Sequence, residues 1–320
     1  MATVLKRLAA LALAMLAGAA LSADCPEPKC YYMPITVVVP FPPGGAVDRV
    51  ARLMAPELSK AFSQPLIVDN KPGAAGSIGM QAAARAAPDS HTLLLSNQGP
   101  IAVMPHVLKN VPVDPLKDLV PSAQVAINPQ VLVVRADSPF RDLKALLQKP
   151  NGATYGTGGA GSQGHLLGSI LAGSPNARLT HVPYRGTVPA MQDVLGGQTD
   201  AAILDMGSAD LRSGRYRALA VTGQRRLAMA PDVPTFAELG FNGLESGWIG
   251  AFFPAGTHAA VVSRLNTEVQ KILRNPEFRQ ALQAAGMEPG TLNTAAFGSL
   301  VREDSQRWAQ VVRRYDIKTD

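Results

Sequence analysis

Charge is scarce in this 320-residue chain: Asp, Glu, Lys and Arg make up 17% of it and aromatic residues only 5%. The formal charge is +6, yet no run of five or more Lys or Arg occurs. A nucleic-acid surface concentrates basic residues beside stacking rings, so nucleic acid is not an expected partner. Histidine is as sparse, with five copies, none in an H-E-x-x-H pattern. The only cysteines are Cys25 and Cys30, with no second pair and no nearby His. A structural metal site needs about four converging ligands, so neither a metal nor a cofactor is expected. Long apolar runs are missing except at the N-terminus, where Lys6-Arg7 precedes Leu8 to Leu21 and Ala20-Leu21-Ser22 supplies small residues. That is the layout of a secretory signal peptide, expected to be removed as residues 1–23. The run is short for a membrane span. Asp24 before Cys25 does not suit lipoprotein processing. The expectation is a soluble periplasmic protein, in which Cys25 and Cys30 form a small disulfide loop around Pro26 and Pro28. So short a loop adds little to global stability.

Glycine (29) and proline (26) are plentiful but not periodic, and 47% of the chain is hydrophobic. This is globular composition, long enough for about two domains. Short β-branched or leucine runs alternate with helical patterns. Ile35 to Val39, Leu66 to Val68 and Leu93 to Leu95 read as strands. Between them lie helices through Val47, Val50, Met54 and Leu58, and up to Arg85. Pro56 is expected to kink or shorten the first. This βαβαβ order favours parallel strands with helices on both faces. Val103 to Pro129 reads as a proline-rich connector, after which the pattern restarts at Val131. Gly247 to Pro254 reads as a return crossing, followed by two C-terminal helices, with Gly286 as a helix stop. The expected fold is α/β and two-lobed, each lobe a mixed sheet with flanking helices. The first lobe is expected over 31–125 and 248–320, the second over 126–247.

Three glycine-rich loops follow strands and open helices: Phe41 to Asp48, Gly73 to Ser77, and Gly156 to His165. Ligands bind at the carboxyl edge of open α/β sheets. A helix start presents unpaired N–H groups to an anion, and glycine lets a ligand reach the backbone. Two loops from one lobe and one from the other would hold a diacid from both sides. Gly156-Thr157-Gly158-Gly159-Ala160-Gly161 fits G-x-G-x-x-G, but no acidic residue ends the next strand, Thr180-His181-Val182-Pro183. Dinucleotide binding is therefore not expected. Ala160-Gly161-Ser162-Gln163-Gly164 comes close to a nucleophile elbow, and Asp205 then His258 follow in hydrolase order. A serine esterase using Ser162 is thus the enzymatic alternative. The helix after Ser162 is short, and a hydroxyl donating to a ligand is the favoured role. Trp248 and Trp308 are read as core or interface residues.

Taken together, the motifs resemble the periplasmic receptors of tripartite tricarboxylate transporters, the Bug-type receptors. The resemblance runs from about Pro34 to the C-terminus. It rests on Val38-Val39-Pro40-Phe41-Pro42-Pro43-Gly44-Gly45 with Asp48, Asn70-Lys71-Pro72-Gly73-Ala74-Ala75-Gly76, and Tyr155-Gly156-Thr157-Gly158 with Gly161-Ser162 and His165-Leu166. Val182-Pro183-Tyr184-Arg185-Gly186, Asp232-Val233-Pro234-Thr235 and Phe253-Pro254-Ala255-Gly256-Thr257 extend it. It implies a type II periplasmic-binding fold that closes on a small carboxylate, with no catalysis. The ligand grip it implies falls on Phe41, Pro43, Gly44, Gly45, Asp48 and Gly76 in the first lobe. In the second it falls on Thr157, Gly158, Gly161, Ser162, His165 and Tyr184, with Ser96, Asn97 and Asp205 at strand ends facing the cleft. A Glu common in the helix after the glycine loop is Ser169 here, and the cysteine loop is unusual for the family. The implied partners are a small carboxylate and either transporter membrane subunits or a sensor protein, with the receptor itself a monomer.

Overall fold

The computed structural model describes residues 31–317 apart from 109, 110, 112 and 210. The expected signal peptide and the Cys25–Cys30 pair lie outside the described residues. In chain order the first half runs β1 (Ile35–Val39), α1 (Ala46–Phe62), β2 (Leu66–Asn70), α2 (Ser77–Ala84), β3 (Thr92–Asn97), α3 (Met104–Val107), α4 (Pro115–Asp118) and β4 (Leu119–Asn128). The chain continues with β5 (Gln130–Arg135), α5 (Leu143–Leu147), β6 (Ala153–Thr157), α6 (Gln163–Ala172), β7 (Leu179–Pro183), α7 (Thr187–Leu195), β8 (Ala201–Asp205) and β9 (Tyr216–Val221). It ends with β10 (Gly247–Pro254), α8 (Ala259–Arg274), α9 (Pro276–Ala284), β11 (Glu288–Pro289) and α10 (Thr294–Arg314).

Two mixed sheets result, ordered β11-β4-β10-β3-β1-β2 and β7-β6-β8-β5-β9. Alternation along each strand feeds two cores per sheet. In the first lobe Val37, Val39, Leu93 and Leu95 pack under α1, α8 and α9. Val38 and Leu94 face the other way, onto a cluster with Trp248, Phe252, Phe297 and Trp308. Both tryptophans are core residues, each 1% exposed. In the second lobe Leu132, Val134 and Ile203 meet α6 residues Leu167 and Leu171. Val131, Val133 and Leu204 meet Ala190 and Val194 of α7.

Three sequence expectations are corrected. Pro56 does not shorten α1, which runs 17 residues to Phe62 with Pro56 on its exposed side. The connector before Pro129 holds a ten-residue strand, β4. Pro121 hides it from a propensity reading because proline breaks a ladder except at an edge or bulge. Here the β4–β10 register slips beside Pro121, between Ala251 and Phe252, which accommodates it. The C-terminal region has three helices, since Asn275 ends α8 and at once caps α9, its side chain accepting from Glu277 and Phe278.

The chain passes between the sheets twice, after Asn128 and between Val221 and Gly247. The crossings are bonded to each other. Gln130 N–H donates to Thr222 Oγ1 at 2.9 Å, Thr222 N–H donates to the Gln130 carbonyl at 2.9 Å, and Thr222 Oγ1 lies 3.2 Å from Ser246 Oγ. A hollow of about 600 Å³ flanks these crossings, lined in part by Ile127, Leu227, Trp248, Glu288 and Arg307. It lies between α10, β11 and the β9–β10 loop, and its lining includes no residue of the three glycine loops, although Gln163 reaches the Glu245 carbonyl at its edge.

Candidate ligand-binding site

The helices α1, α2, α6 and α7 each begin at the carboxyl end of a parallel strand, β1, β2, β6 and β7 respectively. Their caps set them apart. Gly45, Gly76 and Gly186 precede α1, α2 and α7 and supply no capping side chain. Elsewhere an accepting side chain caps the helix: Asp114 for α4, Asp142 for α5, His258 for α8, Asn275 for α9 and Asn293 for α10. The exception is α3, which continues directly from a π turn over Gly99–Val103. Orphan N–H groups at a helix start are otherwise satisfied by side chains, water or ligand. Backbone donors therefore stay open at three of the four parallel-strand helix starts, α1, α2 and α7, while Ser162 caps α6.

In the first lobe a buried carboxylate shapes the β1–α1 loop. Asp48 accepts from Gly44 N–H at 2.8 Å, from Asn70 Nδ2 at 2.9 Å and from Arg52 Nε at 3.0 Å. Asn70 Nδ2 also donates to the Phe41 carbonyl at 3.0 Å. Burial alone would raise the Asp48 carboxyl, but the hydrogen bonds from Arg52, Gly44 and Asn70 hold it below the ordinary carboxylate range. Asp48 is thus consumed in fixing the loop, and so is the Gly44 N–H. Gly44 has φ +84, which the turn requires and glycine tolerates. Beside it, Pro43 is exposed and Gly45 half-buried. The Gly76 backbone presses on Pro100 and Pro40, so that β1, α2 and the π turn meet under the site. Ser96 is buried and donates to the Asn97 carbonyl, and Asn97 Oδ1 accepts from Gly99 N–H.

In the second lobe neutral groups do the shaping. Thr157 Oγ1 lies 2.7 Å from His181 Nε2, 3.3 Å from the Gly159 N–H nitrogen and 3.3 Å from Ser162 Oγ, which donates to it. Ser162 caps α6 by accepting from His165 N–H, and His165 Nδ1 accepts from Gly161 N–H at 3.0 Å. Gly158 lies against Gly186 and Thr187 at the start of α7. Tyr184 donates to Asp193 Oδ2 at 2.6 Å, and burial and then that carboxylate push its phenol up to about 12. Asp205 stands apart from this loop. Its Oδ1 accepts from Asn128 Nδ2 at 2.6 Å and from Gln130 Nε2 at 2.7 Å, so it braces the first crossing.

No hydrolase triad is assembled by these residues. The Ser162 hydroxyl is a helix cap, Asp205 is turned to the crossing, and His258 caps α8 through Nδ1. Among the described residues no group of three His, Cys, Asp or Glu is placed to hold a metal, and no helix is long and apolar enough to cross a membrane.

Arg52, Asn70, His181, Asn128 and Gln130 were not expected as site residues, although Asn70 opens one of the motifs that carry the resemblance. Their partners lie 4 to 92 positions away, and only strand pairing such as Val39 with Asn70 brings most of them together. Arg49 is a further case. Its Nη1 donates to the Gly44 carbonyl at 3.2 Å, and its Nη2 lies near Gly207 of the second lobe.

Known proteins agree with this architecture. A family model described as "Tripartite tricarboxylate transporter family receptor" matches residues 50–317. The chain is 38% identical over 295 residues to a protein encoded in the tcbD-tcbE intergenic region of Pseudomonas sp. (strain P51), covering 90% of this chain and 88% of that one. It is 36% identical over 293 residues to Protein BugT of Bordetella pertussis, covering 89% and 90%. Among solved structures, one described as a periplasmic transporter superposes with TM-score 0.84 at 35% identity, covering 90% of this chain and 99% of that one. R. palustris Rpa4515 with adipate gives 0.83 at 30%, covering 90% and 99%. MatC from Rhodopseudomonas palustris with bound malate gives 0.77 at 31%, covering 88% and 99%. With its two lobes, its open helix starts and these relatives, the chain belongs to the tripartite tricarboxylate transporter receptor family, as a Bug-type periplasmic solute-binding protein and not an enzyme.

Proposed function

We propose that this receptor captures a small organic acid, of the dicarboxylate, amino-acid-like or aromatic class, between its lobes and delivers it to the membrane subunits of a tripartite transporter. The observation that carries the proposal is the contrast in helix caps. Three of the four helix starts at the parallel-strand edge, α1 and α2 in the first lobe and α7 in the second, lack a capping side chain, Ser162 capping the fourth, while α4, α5, α8, α9 and α10 all have one. Burying a carboxylate costs several kcal/mol unless donors replace its water, and charge-assisted bonds from N–H groups on both sides meet that cost. Adipate and malate in the related structures are ligands of this chemistry. The lobes join at Pro129 and through residues 222–246, where the Gln130–Thr222–Ser246 bonds form the hinge. The ligand touches both lobes only when they close, so it shifts the population by its differential affinity. The receptor works as a monomer in the periplasm after its signal peptide is removed.

Gly45→Val tests the site. A Cβ there meets only the Pro42 carbonyl, at 3.4 Å, so the fold tolerates it while the added bulk stands before the α1 N–H groups. In titration calorimetry with malate and adipate the variant loses at least about tenfold in affinity, about 1.4 kcal/mol. Affinity equal to that of the wild type removes the β1–α1 loop from the site.

A further inference from the structure

We infer that His181 and His165 form a neutral imidazole stack that holds the second-lobe glycine loop in its anion-receiving shape, so that ligand capture weakens when the stack takes up a proton. The inference rests on reading that loop as one side of the carboxylate site. The two are positioning residues, acting through Thr157 and Gly161 rather than by touching the ligand.

The rings lie parallel, with centroids 3.9 Å apart and planes 9° apart. Donor counting assigns their protons. His165 Nδ1 accepts from the Gly161 N–H, so its proton is on Nε2. The Thr157 hydroxyl has two acceptor sites and one hydrogen. Ser162 Oγ–H and Gly159 N–H both point at it, and of the two acceptors left for its own hydrogen, the Gly159 carbonyl at 3.2 Å and His181 Nε2 at 2.7 Å, the nearer takes it. His181 is then an acceptor at Nε2 and carries its proton on Nδ1. Both tautomers are assigned from these partners.

A proton added to either ring breaks this pattern. On His165 Nδ1 it sets a donor against the Gly161 N–H donor. On His181 Nε2 it forces Thr157 to accept there, release the Ser162 hydroxyl or the Gly159 N–H, and turn its own hydrogen to the Gly159 carbonyl. The first case removes a tether from the loop between Gly158 and Ser162, and the second rearranges its bonds to Thr157. The groups facing the stack are uncharged. Tyr155 from β6 lies tilted against His181 at 5.1 Å, burial pushes its phenol up, and its hydroxyl reaches the His165 carbonyl at 3.5 Å. Ser169 from α6 bonds the same carbonyl at 2.9 Å. Farther along β6 the Lys149–Asp200 pair closes on itself and on Thr154. Burial lowers His165, and burial followed by the charge of His165 lowers His181 to about 4. Both folded values lie below the ordinary 6.5. The tethered loop is therefore fully stable above pH 6.5 and weakens as pH falls from there towards about 4.

The sign separates this role from direct contact, because an imidazolium touching a carboxylate ligand tightens binding on acidification. The test compares the wild type with His181→Gln, whose amide oxygen accepts from Thr157 without titrating. Malate affinity is measured by calorimetry at pH 7.5, 6.5, 5.0 and 4.0, and the wild-type to variant ratio cancels the ionisation of malate itself. The expected result is a ratio near one at pH 7.5 that falls by about twofold at pH 4.0. A constant ratio, or one that rises, overturns the proposal. Should the variant not fold, protection of the Gly159 and Gly161 amides in the unliganded wild type gives the same decision. Protection that falls between pH 6.5 and 4 supports the stack, and pH-independent protection overturns it. If malate and adipate fail to bind at any pH, the carboxylate reading falls, while the amide protection still decides the role of the stack.

Discussion

The two lobes hold equivalent loops by different chemistry. In the first, a buried carboxylate gathers Gly44, Asn70 and Arg52, so the β1–α1 turn is tied by charge-assisted bonds. In the second, a threonine hydroxyl, a serine cap and two neutral imidazoles do the same work with no formal charge. The first arrangement is rigid over the physiological pH range and fails only when Asp48 is protonated. The second depends on lone pairs that a proton can take. One lobe is thus a fixed jaw and the other a jaw whose shape is conditional, and the variants below break or sharpen that contrast.

The largest effect is expected where the jaws meet. A Cβ on Gly207 would stand 1.9 Å from the Ala285 carbonyl, and one on Gly286 would stand 2.2 Å from the Gly207 backbone. These glycines belong to different lobes, so Gly207→Ala relieves its clash by separating them rather than by unfolding either. Small-angle scattering should show a larger radius of gyration without ligand, and malate affinity should fall by about a hundredfold, near 2.7 kcal/mol. An unchanged radius of gyration would mean that this contact does not set the interlobe angle.

Asp48→Ala comes next. Its side chain is 3% exposed, and its loss strands the Gly44 and Asn70 donors. Unsatisfied buried donors cost about 1–3 kcal/mol each, so melting should drop by roughly 5 °C or more, with binding lost. Thr157→Val, close in shape, removes the hydroxyl at the centre of the second jaw. It should cost about 1–2 kcal/mol of stability, so melting drops by a few degrees, less than for Asp48→Ala, and calorimetry should show weaker malate binding. Equal melting losses in the two variants would erase the contrast between jaws.

The smallest effect is the pH order. Asp48 has a lowered pKa, so its contribution is present above the usual carboxylate value and is lost only as pH falls through the lowered one. The histidine contribution is lost earlier, between 6.5 and about 4. Hydrogen exchange from pH 7 to 4.5 should therefore loosen the loop around Gly159 and Gly161 while the Gly44 amide stays protected. The opposite order would refute the assignment of charge to one jaw and neutrality to the other.

Much of this was legible in the linear chain, though unevenly. The β1–α1 and β6–α6 loops stand out because glycine and proline punctuate β-branched runs, and those runs are strands. β4 did not stand out, since Pro121 fits only because its partner strand slips register beside it. Asp48 and His165 were both expected to meet the ligand, and each is bonded into its own loop. A residue at a site and a residue that builds the site look alike in sequence, because the difference lies in where its hydrogen bonds go.

The order of residues by itself determined the alternation of strands and helices, the placement of glycine turns at helix starts, and hence an α/β chain with backbone donors at its strand ends. Those features depend on local backbone freedom and on the two- and 3.6-residue periods. Only the tertiary structure decided which donors stay open, that Asn70 reaches Asp48 across β1 and β2, that His181 stacks on His165 from the next strand, and that Gly207 meets Gly286. Such pairings join residues distant in sequence, and they arise only after strands have paired and sheets have packed.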